Sequence, residues 1–233
     1  MTLIYQVTDT HVDEDPGTTA SRNFTTLMQY VAEHTADLLV ISGDLPGEDG
    51  SKAIYEWMKS QIPASQPTLV IPGNHDDSAA LFEVFESDHN TRRDFFEHRP
   101  LSDIDLLFAN TESTYLPKEQ LDRICAGNIR PGSILFIHHP TREVSGGFMD
   151  LTYPLKNWQE VHAALDASKI NHVFCGHYHT EAVLQSQYDL YVTPSPAFKV
   201  DPDSVEIKIS APDVPLRKIQ IDDNAVSTEM VFL

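Results

Sequence analysis

Cysteine is scarce: only Cys125 and Cys175 occur in 233 residues. Two thiols cannot make a disulfide framework, so a reducing cytoplasm is the expected home. Positive charge is also scarce, with 16 Lys and Arg against 35 Asp and Glu, a formal net charge of -19. Such a surface repels long polyanions and offers little counterion release, which argues against extended nucleic acid and anionic membrane as partners. A small phosphate ester stays open, because bound cations reverse the potential locally. No stretch approaches the length of a membrane span. The opening residues 3–7 lack a basic leader and a following apolar run, so they read as a strand rather than a signal peptide. No internal repeat or low-complexity tract is present.

Apolar residues make up 41% of the chain, enough for a sizeable core. Short linkers and this length predict one α/β domain over residues 1–233. Strands are expected at 3–8, 36–42, 68–71, 104–109, 133–137 and 170–175. The run ADLLVIS at 36–42 is nearly continuous and apolar, as in a buried parallel strand. Helices are expected at 20–34, with Phe24, Leu27, Met28 and Val31 on one face, at 51–61 until Pro63, from Ser78, at 118–126 and at 158–167. After His179 the pattern changes to successive strands at 181–186, 188–193, 204–209, 216–221 and 226–232. Within these, SVEIKIS at 204–210 alternates as a half-buried antiparallel strand should. This meander is expected to form or complete a second sheet. The predicted fold is α/β, two mixed sheets face to face with helices outside.

The chemistry-bearing residues follow predicted strands, at the edge where open α/β sheets bind ligands. Asp9-Thr10-His11 follows the first strand, and in extended chain its carboxylate and imidazole point the same way. Ser42-Gly43-Asp44 ends the second, where a carboxylate with two oxygens suits two cations; a turn or capping Asp is the plainer reading. Gly73-Asn74-His75-Asp76 ends the third. Asn74 offers a neutral oxygen, His75 a proton for a leaving group, and Asp76 a carboxylate to orient that imidazole. His138-His139 and Gly176-His177-Tyr178-His179 end two more strands. One such histidine would be structural more often than not. Sites at five strand ends are hard to reconcile with accident.

These blocks, in order from Asp9 to His179, resemble the calcineurin-like metallophosphoesterases, whose pattern is D-x-H, G-D, G-N-H-[DE], H and G-H-x-H. Within that superfamily the chain is most similar to the bacterial class III 3′,5′-cyclic AMP phosphodiesterases. That similarity extends to Thr8, Gln66-Pro67, His138-His139-Pro140, Thr193-Pro194-Ser195 and Phe198-Lys199. The resemblance implies that Asp9, His11 and His179 hold one metal. Asn74, His138 and His177 would hold another, with Asp44 bridging and His75 beside the leaving group. It implies hydrolysis of a small phosphodiester, cyclic AMP foremost. The other members of the superfamily, nucleotidases, pyrophosphate-cleaving enzymes, glycerophosphodiesterases and a non-catalytic scaffold, are the alternatives. The stretch between Asp76 and His138 is compact and no long tail follows the last predicted strand, differences that bear on the pocket and on any dimer surface. Oligomeric state is left open, a homodimer included.

Two cations about 3.5–4 Å apart would neutralise phosphate oxygens and acidify an attacking water. The mixed Asp, Asn and His donor set suits manganese, iron, zinc or cobalt rather than magnesium or calcium. His34, His89, His98, His162 and His172 fall outside the blocks and are expected to be surface or structural. His139 adjoins a ligand position and is expected to point away from the ligands, with a contact behind them as the alternative. Phe148, Met149 and Trp158 are expected as core or, alternatively, as the wall of a base pocket.

Overall fold

The computed structural model describes residues 1–48, 50–85, 96–101, 104–223 and 225–233. His89 lies outside them. The chain opens with β1 (Thr2–Val7), α1 (Thr19–Glu33), β2 (Leu38–Ser42), α2 (Lys52–Gln61), β3 (Thr68–Ile71) and α3 (Ser78–Phe85). Next come β4 (Phe96–Leu101), β5 (Ile104–Ala109), α4 (Lys118–Cys125), β6 (Ser133–Phe136), α5 (Phe148–Thr152), α6 (Trp158–Asp166) and β7 (Ile170–Cys175). The remainder is strand: β8 (Ala182–Leu184), β9 (Asp189–Val192), β10 (Lys199–Val200), β11 (Ile209–Ser210), β12 (Pro215–Asp222) and β13 (Ala225–Phe232).

Two mixed sheets result, ordered β13-β12-β1-β2-β3 and β4-β5-β6-β7-β9-β8. The parallel strands lie where the apolar runs predict them; every residue of β2 is buried. Helix α1 begins where the Thr18 side chain accepts from the Ser21 N–H, and it buries the four expected apolar residues. Between the sheets, the rings of Phe108, Phe136, Phe174 and Tyr191 stack in a row, with successive centroids 5.2, 5.5 and 4.7 Å apart. They share one core with Ile4, Val7, Leu39 and Ile41 of the first sheet. A second core packs α4 and α6 on the second sheet and takes in Cys175, which is buried in its strand as expected.

The C-terminal strands do not form one meander. Strands β8 and β9 complete the second sheet, while β12 pairs antiparallel with β1 and carries β13 onto the first. The expected strand at 204–209 is replaced by a loop, in which only Ile209–Ser210 pair, with Lys199–Val200. Alternation buries a face only where a sheet lies beneath it; Val205 and Ile207 are 68% and 53% exposed. Strand β4 and helix α5 have no counterpart in the sequence reading.

Candidate metal centre

Strands from both sheets deliver their C-terminal ends to one rim. Asp9 and His11 follow β1, Asp44 follows β2, Asn74 and His75 follow β3, His138 follows β6, and His177 and His179 follow β7. The loops are laced by main-chain bonds: Asp9 N–H donates to Gly43 O at 2.9 Å, His11 N–H to Asp44 O at 3.1 Å, and Gly176 N–H to His138 O at 3.0 Å. Here the backbone departs from the extended form the sequence reading assumed. Asp9, His11, Asp44, His177 and His179 all have positive φ, between 42° and 67°. Asp9 and His11 nevertheless fall in one group, while His177 and His179 fall in different ones.

Those groups are two. Asp9, His11 and His179 bring one ligand-type atom each within 4.8 Å of one another, and so do Asp44, His138 and His177. In the first, the Nε2 atoms of His11 and His179 face each other at 3.0 Å, and His179 Nε2 lies 3.3 Å from Asp9 Oδ1. In the second, His138 Nε2 is 3.2 Å from Asp44 Oδ2. The same Oδ2 is 4.0 Å from His11 Nε2, so Asp44 reaches both groups. The turn that carries Asn74 is tied to Asp44 by the His75 N–H, which donates to Asp44 Oδ1 at 2.9 Å.

Main-chain carbonyls set the tautomers. His179 Nδ1 lies 3.1 Å from Phe198 O and His138 Nδ1 2.9 Å from Ser42 O, which turns the Nε2 of each toward the cluster. His177 is reversed: its Nε2 meets Tyr153 O at 2.9 Å, freeing Nδ1. Asp9 is fixed by one oxygen, Oδ2 accepting from Thr8 Oγ1 and the His177 N–H at 2.8 Å each, while Ser195 Oγ donates to its carbonyl. These anchors, Thr8 and Ser195 among them, went unseen as site residues in sequence reasoning. Thr8 and Ser195 belong to the resemblance's quoted stretches, which is the one signal that pointed at them.

The residues fit divalent cations. Asn74 Oδ1 is a buried polar atom with no hydrogen-bond partner, and leaving such an atom unmet costs about 1–3 kcal/mol; Asp9 Oδ1 and His138 Nε2 are met only by charge contacts inside the cluster, to His179 and Asp44. A Cβ at Gly73 would overlap Asp44 and His138, and one at Gly176 would overlap Thr8 and Asp9, so both glycines let backbone approach the ligands. The electrostatics also call for positive charge. Burial opposes ionisation of Asp9, yet the His179 and His138 imidazoles hold its carboxyl down at about 2. Burial likewise opposes charge on His138, but Asp44 and Asp9 outweigh it and raise the imidazole to about 9. Burial keeps His11 and His177 neutral, each near 4.

His75 is exposed at the rim, its ring edge-on to His11 with centroids 5.2 Å apart. Asp76 does not orient it. The Asp76 carboxylate accepts instead from the Gly73 N–H at 2.8 Å, the Leu45 N–H at 3.4 Å and Tyr55 Oη at 3.0 Å. It braces the turn that carries Asn74 against the turn that carries Asp44. His139 lies closer to the cluster than expected, with its ring centroid 4.2 Å from that of His177. A cavity of about 590 Å³ touches the cluster at His179 alone and runs under β10 and β11, away from the other ligands.

Fold and site together define a metal-dependent phosphoesterase with two adjacent cation groups on a two-sheet α/β sandwich. The chain belongs to the calcineurin-like phosphoesterase family, which it matches over residues 2–181. It is 30% identical to a probable cyclic nucleotide phosphodiesterase of Fibrobacter succinogenes, over 98% of this chain and 93% of that protein. It is 26% identical to the 3′,5′-cyclic adenosine monophosphate phosphodiesterase CpdA of Escherichia coli K12, over 85% and 78% respectively. Among solved structures, a dimetal phosphatase from Danio rerio superposes with a TM-score of 0.66 at 10% identity, over 99% of this chain and 98% of that one. A purple acid phosphatase from yellow lupin seeds gives 0.72 at 14%, over 99% of this chain and 51% of that one. Both bear on the fold alone. Among the described residues no helix is long and apolar enough to cross a membrane.

Proposed function

We propose that this enzyme hydrolyses a 3′,5′-cyclic nucleotide, cyclic AMP foremost, to the nucleoside monophosphate, as a single domain in the cytoplasm. The observation that carries the phosphodiesterase part is the reach of Asp44 Oδ2 to both imidazole groups, 3.2 Å to His138 and 4.0 Å to His11. In this reading Asp9, His11 and His179 hold one divalent ion, Asn74, His138 and His177 hold the other, and Asp44 spans both. Bound manganese, iron, zinc or cobalt would neutralise the phosphate oxygens and acidify an attacking water. His75, exposed beside His11, donates a proton to the leaving oxygen. Asp76 holds the turn that presents Asn74 and His75.

Two further observations support the nucleotide part. The relatives carry cyclic-nucleotide names. Beside the second group, α5 buries none of its residues, and Tyr153, whose carbonyl anchors His177, is 53% exposed with its ring 5.8 Å from that of Phe148. An aromatic pair of this kind suits a nucleobase, where stacking is worth about 1–3 kcal/mol. The test is a manganese-supplemented panel of cyclic nucleotides, mononucleotides and dinucleoside polyphosphates, with Asp44→Ala as control. Cyclic nucleotides should lead, and Asp44→Ala should lose both metal and turnover. A preference for dinucleoside polyphosphates would overturn the substrate, and full activity of Asp44→Ala with two ions bound would overturn the bridge.

A further inference from the structure

His139 is fully buried beside the second cation group, yet nothing in the proposed chemistry uses it. Its Nδ1 meets the hydroxyl of Thr111, itself buried after β5, at 2.8 Å. Its Nε2 is buried without a hydrogen-bond partner. The ring stands edge-on to His138, centroids 4.9 Å apart at 89°, and tilted against His177 at 4.2 Å and 42°. Leucine or phenylalanine would fill the same space without burying an unmet nitrogen. A purely space-filling role therefore does not account for an imidazole here.

The two neighbouring rings explain what is needed. His138 and His177 are each held by one main-chain carbonyl at the nitrogen opposite the free one. One such bond selects the tautomer but leaves the ring able to swing about the nitrogen–oxygen axis. A flat neighbour fixed in its own orientation removes that freedom for both rings at once. The Thr111 hydroxyl fixes it, and hydrogen-bonded partners behind the ligands are what orient them. We propose that His139, clamped by Thr111, is a positioning residue for the Asp44, His138 and His177 group, setting the angle of both imidazoles toward a divalent ion.

The inference rests on the metal-centre reading but not on any substrate. Its test is titration of metal-free protein with Co²⁺, followed by calorimetry and by the visible cobalt bands. His177→Ala identifies the binding phase of the second group by its loss. Thr111→Val, which keeps shape and removes the hydroxyl, should weaken that phase about tenfold and alter its cobalt bands. The other phase should move less than twofold, and Thr111→Ser should restore wild-type binding. His139→Leu should weaken the same phase. A Thr111→Val titration that superimposes on wild type would overturn the inference, as would both phases weakening together with a fall in melting temperature. Wild-type protein that takes up fewer than two ions would instead sink the metal-centre reading itself.

Discussion

Removing the metals should leave a protein whose stability peaks near pH 6.5 and falls on both sides. In the fold, His138 is raised to about 9 by Asp44 and Asp9 against the opposing effect of burial. Its contribution is full below the unfolded value of about 6.5 and is lost as pH rises through 9. His11 and His177 behave oppositely. Burial holds each near 4, so they stay neutral in the fold, and their contribution fades as pH falls from about 6.5 toward 4. Each arm spans roughly 2.5 pH units, on the order of 3 kcal/mol per histidine at about 1.4 kcal/mol per unit. His139, which burial also lowers, adds to the acid arm, whereas Asp76, which burial and Asp44 raise to about 7, opposes it in part, its contribution being lost as pH rises through 7. The Asp9 contribution is lost only as pH falls through about 2, outside this window. At about 2–4 °C per kcal/mol for a chain of this size, the alkaline arm is worth roughly 6–12 °C. Thermal unfolding from pH 5 to 9.5 in excess chelator measures it. Added Mn²⁺ should flatten the alkaline arm by binding deprotonated His138 and steepen the acid arm by competing with protons. A chelated protein whose melting temperature is level between pH 6.5 and 9 would refute the reasoning, as would an unchanged alkaline slope in His138→Gln.

Other perturbations separate the parts of the site. Gly176→Ala forces a Cβ against Thr8 and Asp9; it should cost about 1–3 kcal/mol in urea unfolding and lower the metal content at the first group. Tyr55→Phe strips Asp76 Oδ1 and the Asp77 N–H of their common partner; a loss of about 1–3 kcal/mol is expected, and wild-type stability would exclude the brace. His75→Ala should keep two ions by elemental analysis and slow alkoxide-leaving substrates more than an activated aryl ester. Equal slowing of both would argue against proton donation.

What the sequence made legible was the chemistry at strand ends. An apolar run such as ADLLVIS announces a buried strand, and a Gly-Asp after it announces a polar rim, both within a few residues. Less legible was whatever depends on distant pairing. Nothing local tells residues 215–222 to add to β1, a partner more than two hundred positions earlier. The stretch at 204–209 shows the converse, since its alternation is clear and no sheet lies under it. Asp76 misled for a related reason. Adjacency to His75 suggested an orienting carboxylate, but its partners are Gly73, Leu45 and Tyr55, and Tyr55 sits on α2. His139 misled by alternation, because the chain beyond β6 has left the strand that would have turned it away from the ligands.

Backbone conformation gathers the predicted ligands. Among the described residues, seven non-glycine residues have positive φ, and five are the predicted ligands Asp9, His11, Asp44, His177 and His179. Left-handed backbone costs roughly 1–2 kcal/mol at each such residue, so the rim carries strain that ordinary turns would avoid. In return, each ligand turns back over its strand end, and side chains from both sheets converge within 4.8 Å in each group. The loop-to-loop bonds from Asp9, His11 and Gly176 oppose relaxation of that strain. A bound cation would satisfy the buried Asn74 Oδ1, which protein groups leave unmet. Metal binding at these groups would therefore offset the strain of the backbone, and the fold itself brings the candidate ligands together.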